Sequence, residues 1–213
     1  MSTSPPKATA MPTFTRPPKP HYLSYRIARG EQGVLTYEPY KSHLLPHWRF
    51  RTPQIARTSA ETLYQHFLSF YEQEDFVGMD MARKFIQMGM TRAKRYANYE
   101  GGRKYKYTAG EEGRGDVKVE REKSEGHVGK EGKEEASGVF RGYWETCREH
   151  EGYQRLKKDF LKEQKEWEGL EKRKVKIEED NEEVKIEDEN ADEVKIKEEE
   201  VKQPVKKKRK TKS

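Results

Sequence analysis

Cysteine is nearly missing from this sequence: Cys147 is the only one in 213 residues. A single thiol can build neither an internal disulfide framework nor a cysteine-rich metal site, and its solitude suits a reducing compartment. Long apolar runs are missing too. No stretch approaches the roughly 20 apolar residues of a membrane span, and residues 1–20, MSTSPPKATAMPTFTRPPKP, lack the apolar segment of a secretory leader. The expectation is a soluble, intracellular protein with no membrane partner. Hydrophobic residues are scarce as well, 31% against 38% charged, which is too polar for a chain that packs a core along its whole length. The apolar and aromatic residues gather in 21–107 and 139–167, so roughly 110 to 120 residues have to supply one small core.

What is present divides the chain. Residues 1–20 read as a disordered arm rich in Pro, Ser and Thr. Residues 21–168 read as one folded domain, interrupted by a disordered Gly-, Glu- and Lys-rich insertion at 108–138. Residues 169–213 read as a disordered charged tail with an imperfect repeat (VKIEEDNEE, VKIEDENADE, VKIKEEE) and a basic terminus. The fold class expected is mostly α, a small α or α+β domain. Segment 21–51 mixes aromatics with Gly30, Gly33, Pro39 and Pro46, predicting an irregular or short-stranded piece wrapped around helices. Thr52-Pro53 marks a helix start over about 53–74, and Asp75 can cap a second over about 76–98. Further helices are expected at 139–149 and 152–167, from the stripes Phe140, Tyr143, Trp144, Cys147 and Tyr153, Leu156, Phe160, Leu161.

The net charge of +6 is unevenly spread. Within 81–107, MARKFIQMGMTRAKRYANYEGGRKYKY, eight Lys or Arg face one acid, Glu100. On a helical wheel Gly78, Ala82, Phe85, Ile86, Gly89, Ala93, Tyr96 and Ala97 share one side, with Arg83, Lys84, Lys94 and Arg95 opposite. Gly78 and Gly89 on the packing side predict close approach of another backbone. A one-signed face asks for an anionic partner. Nucleic-acid phosphates supply one, with Arg83, Lys84, Arg92, Lys94, Arg95, Arg103, Lys104 and Lys106 as contacts and Trp48, Tyr99 and Tyr105 as stacking candidates. The bland alternative is a solvated face whose cations pair with Glu31, Glu38 or Asp80.

Several strings in this region occur together: YRIARGEQGVL, EPYKS, LLPHWRF, DFVGMDMARKF, QMGMTRAKRYAN and GGRKY. They resemble a family catalogued only as a domain of unknown function, the 4385 family, over about Tyr22 to Tyr107 and more loosely in GYWETCREHEGYQRLKK near 142–158. The resemblance implies a shared domain and supplies no activity, cofactor or residue role.

Other motifs carry less. RGEQG (29–33) places two glycines near each other but lacks the lysine and helix of a phosphate-binding loop, so a tight turn is expected. In PHWRFR, Trp48 reads first as a core anchor overlaid by arginines. His43 and His47 are separated by Pro46 with no third ligand in view, so no metal site and no cofactor are expected. PVKKKRK places Lys206, Lys207, Lys208, Arg209 and Lys210 in a compact basic run similar to a nuclear-import signal, which implies an import receptor as partner. VKVE, VKIE, VKIE and IKEE present Lys118, Lys176, Lys185 and Lys197 in the pattern of acceptor sites for a small ubiquitin-like modifier. Together these favour a nuclear nucleic-acid-binding or chromatin-associated protein. A protein-interaction module docking an acidic partner, or a metal-dependent enzyme acting on a phosphate-bearing substrate, stays open, as do a cytoplasmic location, DNA versus RNA and the oligomeric state.

Overall fold

A computed structural model describes residues 14–108 and 116–201, with side chains as far as residue 178. Two helix starts follow directly from capping chemistry. Thr52 Oγ1 accepts the Ile55 N–H at 3.3 Å and opens α3 (Pro53–Glu72), while Asp75 Oδ1 accepts the Gly78 N–H at 2.9 Å and opens α4 (Phe76–Asn98). Each side-chain oxygen satisfies a donor that the first helical turn cannot satisfy itself. Ahead of them lie two short helices, α1 (Lys19–Leu23) and α2 (Tyr40–Leu44), then a 3₁₀ turn at Leu45–His47. The segment expected to be irregular or short-stranded is thus irregular and helical in pieces, and the described part of it holds no strand.

Helix α4 is central. Every residue from Asp75 to Ile86 is buried, because α3, α5 (Lys130–Glu149), α2 and the N-terminal segment all pack against it. Gly78 and Gly89 allow that packing through aromatic rings, not through the neighbouring backbone expected from the sequence. A Cβ on Gly78 would stand 2.3 Å from the Phe70 ring and one on Gly89 2.5 Å from the Phe140 ring. The first turns of α6 (Glu151–Val201) add Tyr153 and Phe160, whose rings meet Phe76 at 5.6 and 5.0 Å.

Three boundaries differ from expectation. Residues 14–20, read as part of the arm, pack on the domain: Phe14 meets Tyr40 at 4.7 Å, and an Arg16 guanidinium N–H donates to the Gln73 carbonyl at 2.7 Å. The insertion 108–138 is not wholly irregular. Val117–Glu120 forms strand β2, antiparallel to β1 (Tyr105–Thr108), and α5 starts at Lys130 instead of Val139. Its apolar content is too low to announce either element, since both strands are exposed on both faces. Finally, the backbone after Gly169 continues as helix to Val201. Leu170, Val175 and Ile177 are all exposed there, as their sparse spacing predicts, and a Lys174–Glu171 pair at 3.0 Å is of the kind that supports solvated helices. By contact density the chain forms two units, Met1–Glu163 and Gln164–Ser213.

Candidate functional site

The cations of α4 divide into two groups with opposite surroundings. Arg83 and Lys84, expected on a solvent face, are inside the protein at 9% and 0% exposure. Both attend Asp80. Its Oδ1 accepts from Arg83 Nε at 2.9 Å and Nη2 at 2.7 Å and from the Tyr153 hydroxyl at 2.7 Å; its Oδ2 accepts from the Tyr25 hydroxyl at 2.5 Å and lies 3.6 Å from Lys84 Nζ. Burial pushes the Asp80 carboxyl up, but Arg83, Lys84 and the two hydroxyls outweigh it and hold the acid ionised. Lys84 also donates to the Gln32 carbonyl at 3.2 Å and pins the RGEQG turn onto α4. The wheel failed here because α4 is covered on every side over its first three turns, so its polar arc is an internal ion cluster. Neither residue can contact a polymer.

The turn itself is a turn. The Gln32 and Val34 N–H groups donate to Arg29 and Glu31 carbonyls at 3.3 Å, which leaves them unable to cradle a phosphate. The three carboxylates also go separate ways. Glu31 accepts from Thr91 Oγ1 at 2.6 Å, Glu38 takes Lys41 and the Ser42 N–H, and Asp80 is sealed in the core.

Past Gln87 the cover becomes one-sided, with Met88, Gly89, Ala93 and Ala97 still buried, and the second group of cations emerges beside a cleft of about 480 Å³. Lys94 and Arg95 come from α4, Lys104 from the root of β1, Lys123 from just after β2 and Arg141 from α5, with Glu120 the one carboxylate among the lining residues. Backbone bonds hold the ribbon root in place: Ser124 N–H to Asn98 O at 2.8 Å and Arg121 N–H to Lys104 O at 2.9 Å. Ser137 Oγ donates to the Met90 carbonyl at 3.0 Å and ties α5 to the cleft floor. Glu120 is occupied by the Tyr99 hydroxyl at 2.6 Å and Lys104 at 3.3 Å; the Tyr99 hydroxyl bond is foremost in holding its carboxyl below the usual range. Lys94 meets Glu134 at 3.4 Å, both about half exposed, an exposed pair worth at most about 1 kcal/mol. The half-buried Arg95 keeps its Nε shielded from solvent with no acceptor, although buried polar groups normally find one. The cleft therefore carries more positive charge than its own acids answer.

The remaining expected residues scatter. Arg92 is half-buried and lies outside the cleft, and Arg103 and Lys106 are exposed outside it. Tyr99 is not a stacking surface, being 5% exposed and bonded to Glu120. Tyr105 shares a ribbon face with Tyr107, and Lys118 Nζ lies 4.1 Å from its ring centre. Trp48 stands away from the cleft among Phe50 and Tyr96. Lys118 is exposed on β2 and Lys176 on α6; the side chains of Lys185 and Lys197, and all of Lys206 to Lys210, lie outside the described residues. Lys123 and Arg141 were missed by sequence reasoning. Lys123 fell in the segment read as disordered, and Arg141 is a lone cation on a helix read for its apolar stripe.

A third histidine, His66, lies beside His43 and His47. His43 Nε2 lies 3.2 Å from His66 Nδ1, and the His47 and His66 ring centres are 4.6 Å apart. Burial depresses all three, His66 to about 4. Among the described residues no three His, Cys, Asp or Glu side chains are arranged to hold a metal ion, and no helix there is long and apolar enough to cross a membrane.

Residues 14–163 match the family model described as a domain of unknown function, DUF4385. No curated protein and no solved structure matches the chain.

Proposed function

The chain belongs to the DUF4385 family, and since no activity comes with membership, we propose from the cleft that this protein binds nucleic acid through its phosphates. One observation carries the reading: five cations from three separated segments, 94–104, 123 and 141, converge on one concave surface lined by a single carboxylate that is already engaged. Phosphates repeated along a polymer satisfy such a surface, and each one met releases condensed counterions. Arg95 and Arg141 form no ion pair within the described residues, and Lys123 is answered only through the field of Glu120, which Tyr99 and Lys104 already engage, so Arg95 and Arg141 are the principal contacts and Lys123 joins them. A partner of this kind is met by charge, with weak sequence preference and strong salt sensitivity. A nuclear location, served by the basic run at 206–210 and an import receptor, belongs to the same proposal.

The test is fluorescence anisotropy with labelled oligonucleotides at low salt, comparing wild type with Arg95→Glu/Arg141→Glu. The expected result is at least a tenfold loss of affinity in the double variant, with a thermal melt close to wild type because Arg141 is exposed and Arg95 has no buried ion partner. Equal affinity would remove the reading. Binding to acidic polypeptides but to no oligonucleotide would reassign the cleft to a protein partner.

A further inference from the structure

A second concave surface, of about 740 Å³, lies on another side of α4. Its base is aromatic. Trp48 and Phe50, from the stretch between the 3₁₀ turn and α3, have ring centres 5.0 Å apart, and Tyr96 from α4 meets Phe50 at 5.7 Å. Tyr96 remains 37% exposed, and Leu45 and Ile55 at the edge are 37% and 39% exposed. Ile55 falls on the apolar stripe of α3, yet it points here instead of into the core. Trp48 is only half-buried, and its Nε1 is shielded from solvent without an acceptor, whereas a tryptophan placed for packing alone normally satisfies its N–H.

The rim is cationic. Arg49 and Arg51 are exposed, and Lys133 Nζ donates to the Phe50 and Arg51 carbonyls at 2.8 and 2.9 Å while lying 4.9 Å from the Phe50 ring centre. No carboxylate lines the groove. Its ligand must therefore offer flat apolar faces and negative charge together, and a methylated or other cationic guest is repelled by the rim. Unpaired nucleotides meet both requirements, because every base has a π-face and every linkage a phosphate. Duplex bases are stacked on one another and cannot.

We propose that this groove seats the bases of a single strand on Trp48, Phe50 and Tyr96, with Arg49 and Arg51 on the adjoining phosphates. The inference rests on the nucleic-acid reading of the cleft and adds the strandedness of the ligand. Helix α4 joins the two surfaces: Arg95 faces the cleft, and Tyr96, about 100° further round, faces the groove.

The test measures an oligothymidylate and a duplex of equal length by anisotropy against wild type, Tyr96→Ser, Arg51→Glu and Arg95→Glu, with circular dichroism confirming the fold of each. Wild type should favour the single strand. Tyr96→Ser should lose roughly 5- to 160-fold for the single strand, the effect of removing one stacking ring, with little change for the duplex. Arg51→Glu, a surface change, should move in the same direction even if Tyr96→Ser fails to fold. Arg95→Glu should weaken both ligands. If Arg95→Glu weakens binding while Tyr96→Ser and Arg51→Glu leave single-strand affinity at wild type, the groove proposal is overturned and the cleft stands. If wild type binds neither oligonucleotide, both fall. If the groove variants lose affinity only for an acidic, aliphatic peptide, the groove belongs to a protein partner and the proposal is overturned.

Discussion

Replacing Asp80 by asparagine removes the one negative charge from a buried cluster that contains two cations. Arg83 would lose the ionised acceptor of its 2.9 and 2.7 Å bonds, and Lys84 the carboxylate 3.6 Å from its ammonium. Breaking a buried pair from one side costs about 3–5 kcal/mol, because the partner charge stays desolvated. With about 2–4 °C of melting temperature per kcal/mol for a domain of this size, Asp80→Asn should melt roughly 6–20 °C below wild type. Lys84→Met behaves differently. It removes one of two cations sharing one acid and fills the same volume with apolar atoms, so stability should stay within about 1 kcal/mol of wild type. Thermal melts by circular dichroism measure both. The sign with pH follows from the depressed Asp80 carboxyl: its contribution is present above the ordinary carboxylate range and fades as pH falls through the lower folded value. An Asp80→Asn protein melting within about 2 °C of wild type would refute the claim that this ion cluster holds the core. Oligonucleotide affinity unchanged in Lys84→Met would separately show that Lys84 is not a phosphate contact.

Three further outcomes follow from the packing. Gly89→Ala should destabilise the protein, since forcing a Cβ into the Phe140 ring costs about 1–3 kcal/mol against about 1 kcal/mol of helix propensity gained; Phe140→Leu in the same chain should give back part of the loss in a double-mutant cycle of denaturant midpoints. His66, 2% exposed and depressed by burial to about 4, must fold neutral, so its stability contribution is complete above about 6.5 and is lost as pH falls toward the folded value. The loss is on the order of 3 kcal/mol, and His66→Leu should flatten that part of the stability–pH curve. Burial pushes the Cys147 thiol up to about 12, so a thiol reagent at neutral pH should label it only at the rate of unfolding, and fast labelling of native protein would contradict its placement.

Local chemistry was legible and layering was not. Thr52-Pro53 and Asp75 announced α3 and α4 because capping is decided within four residues. The mostly helical class followed from apolar spacing, and the resemblance of the 22–107 strings anticipated the family. The helical wheel placed Arg83 and Lys84 opposite the apolar side, which is geometrically right, but a wheel cannot say how many neighbours surround a helix. The N-terminal segment folding back, with Tyr25 on Asp80 and Gln32 on Lys84, and the start of α6, with Tyr153 on Asp80, turn that arc inward. The site was half legible for a related reason. Lys94, Arg95 and Lys104 belong to the basic run and could be named, whereas Lys123 and Arg141 reach the cleft through a weakly patterned ribbon and a distant helix. The groove escaped because Trp48, though named as a stacking candidate, was grouped with Tyr99 and Tyr105, which lie elsewhere, while Tyr96 fell on the apolar side of the wheel.

The most direct test of the central claim is the salt dependence of oligonucleotide binding in wild type and in Arg95→Glu/Arg141→Glu. Wild type should weaken steeply and log-linearly with salt, and the double variant should bind less tightly with a slope shallower by about 1.4 for a single strand, two phosphate contacts at about 0.7 each. Superimposable salt titrations of the two proteins would contradict a phosphate-binding cleft.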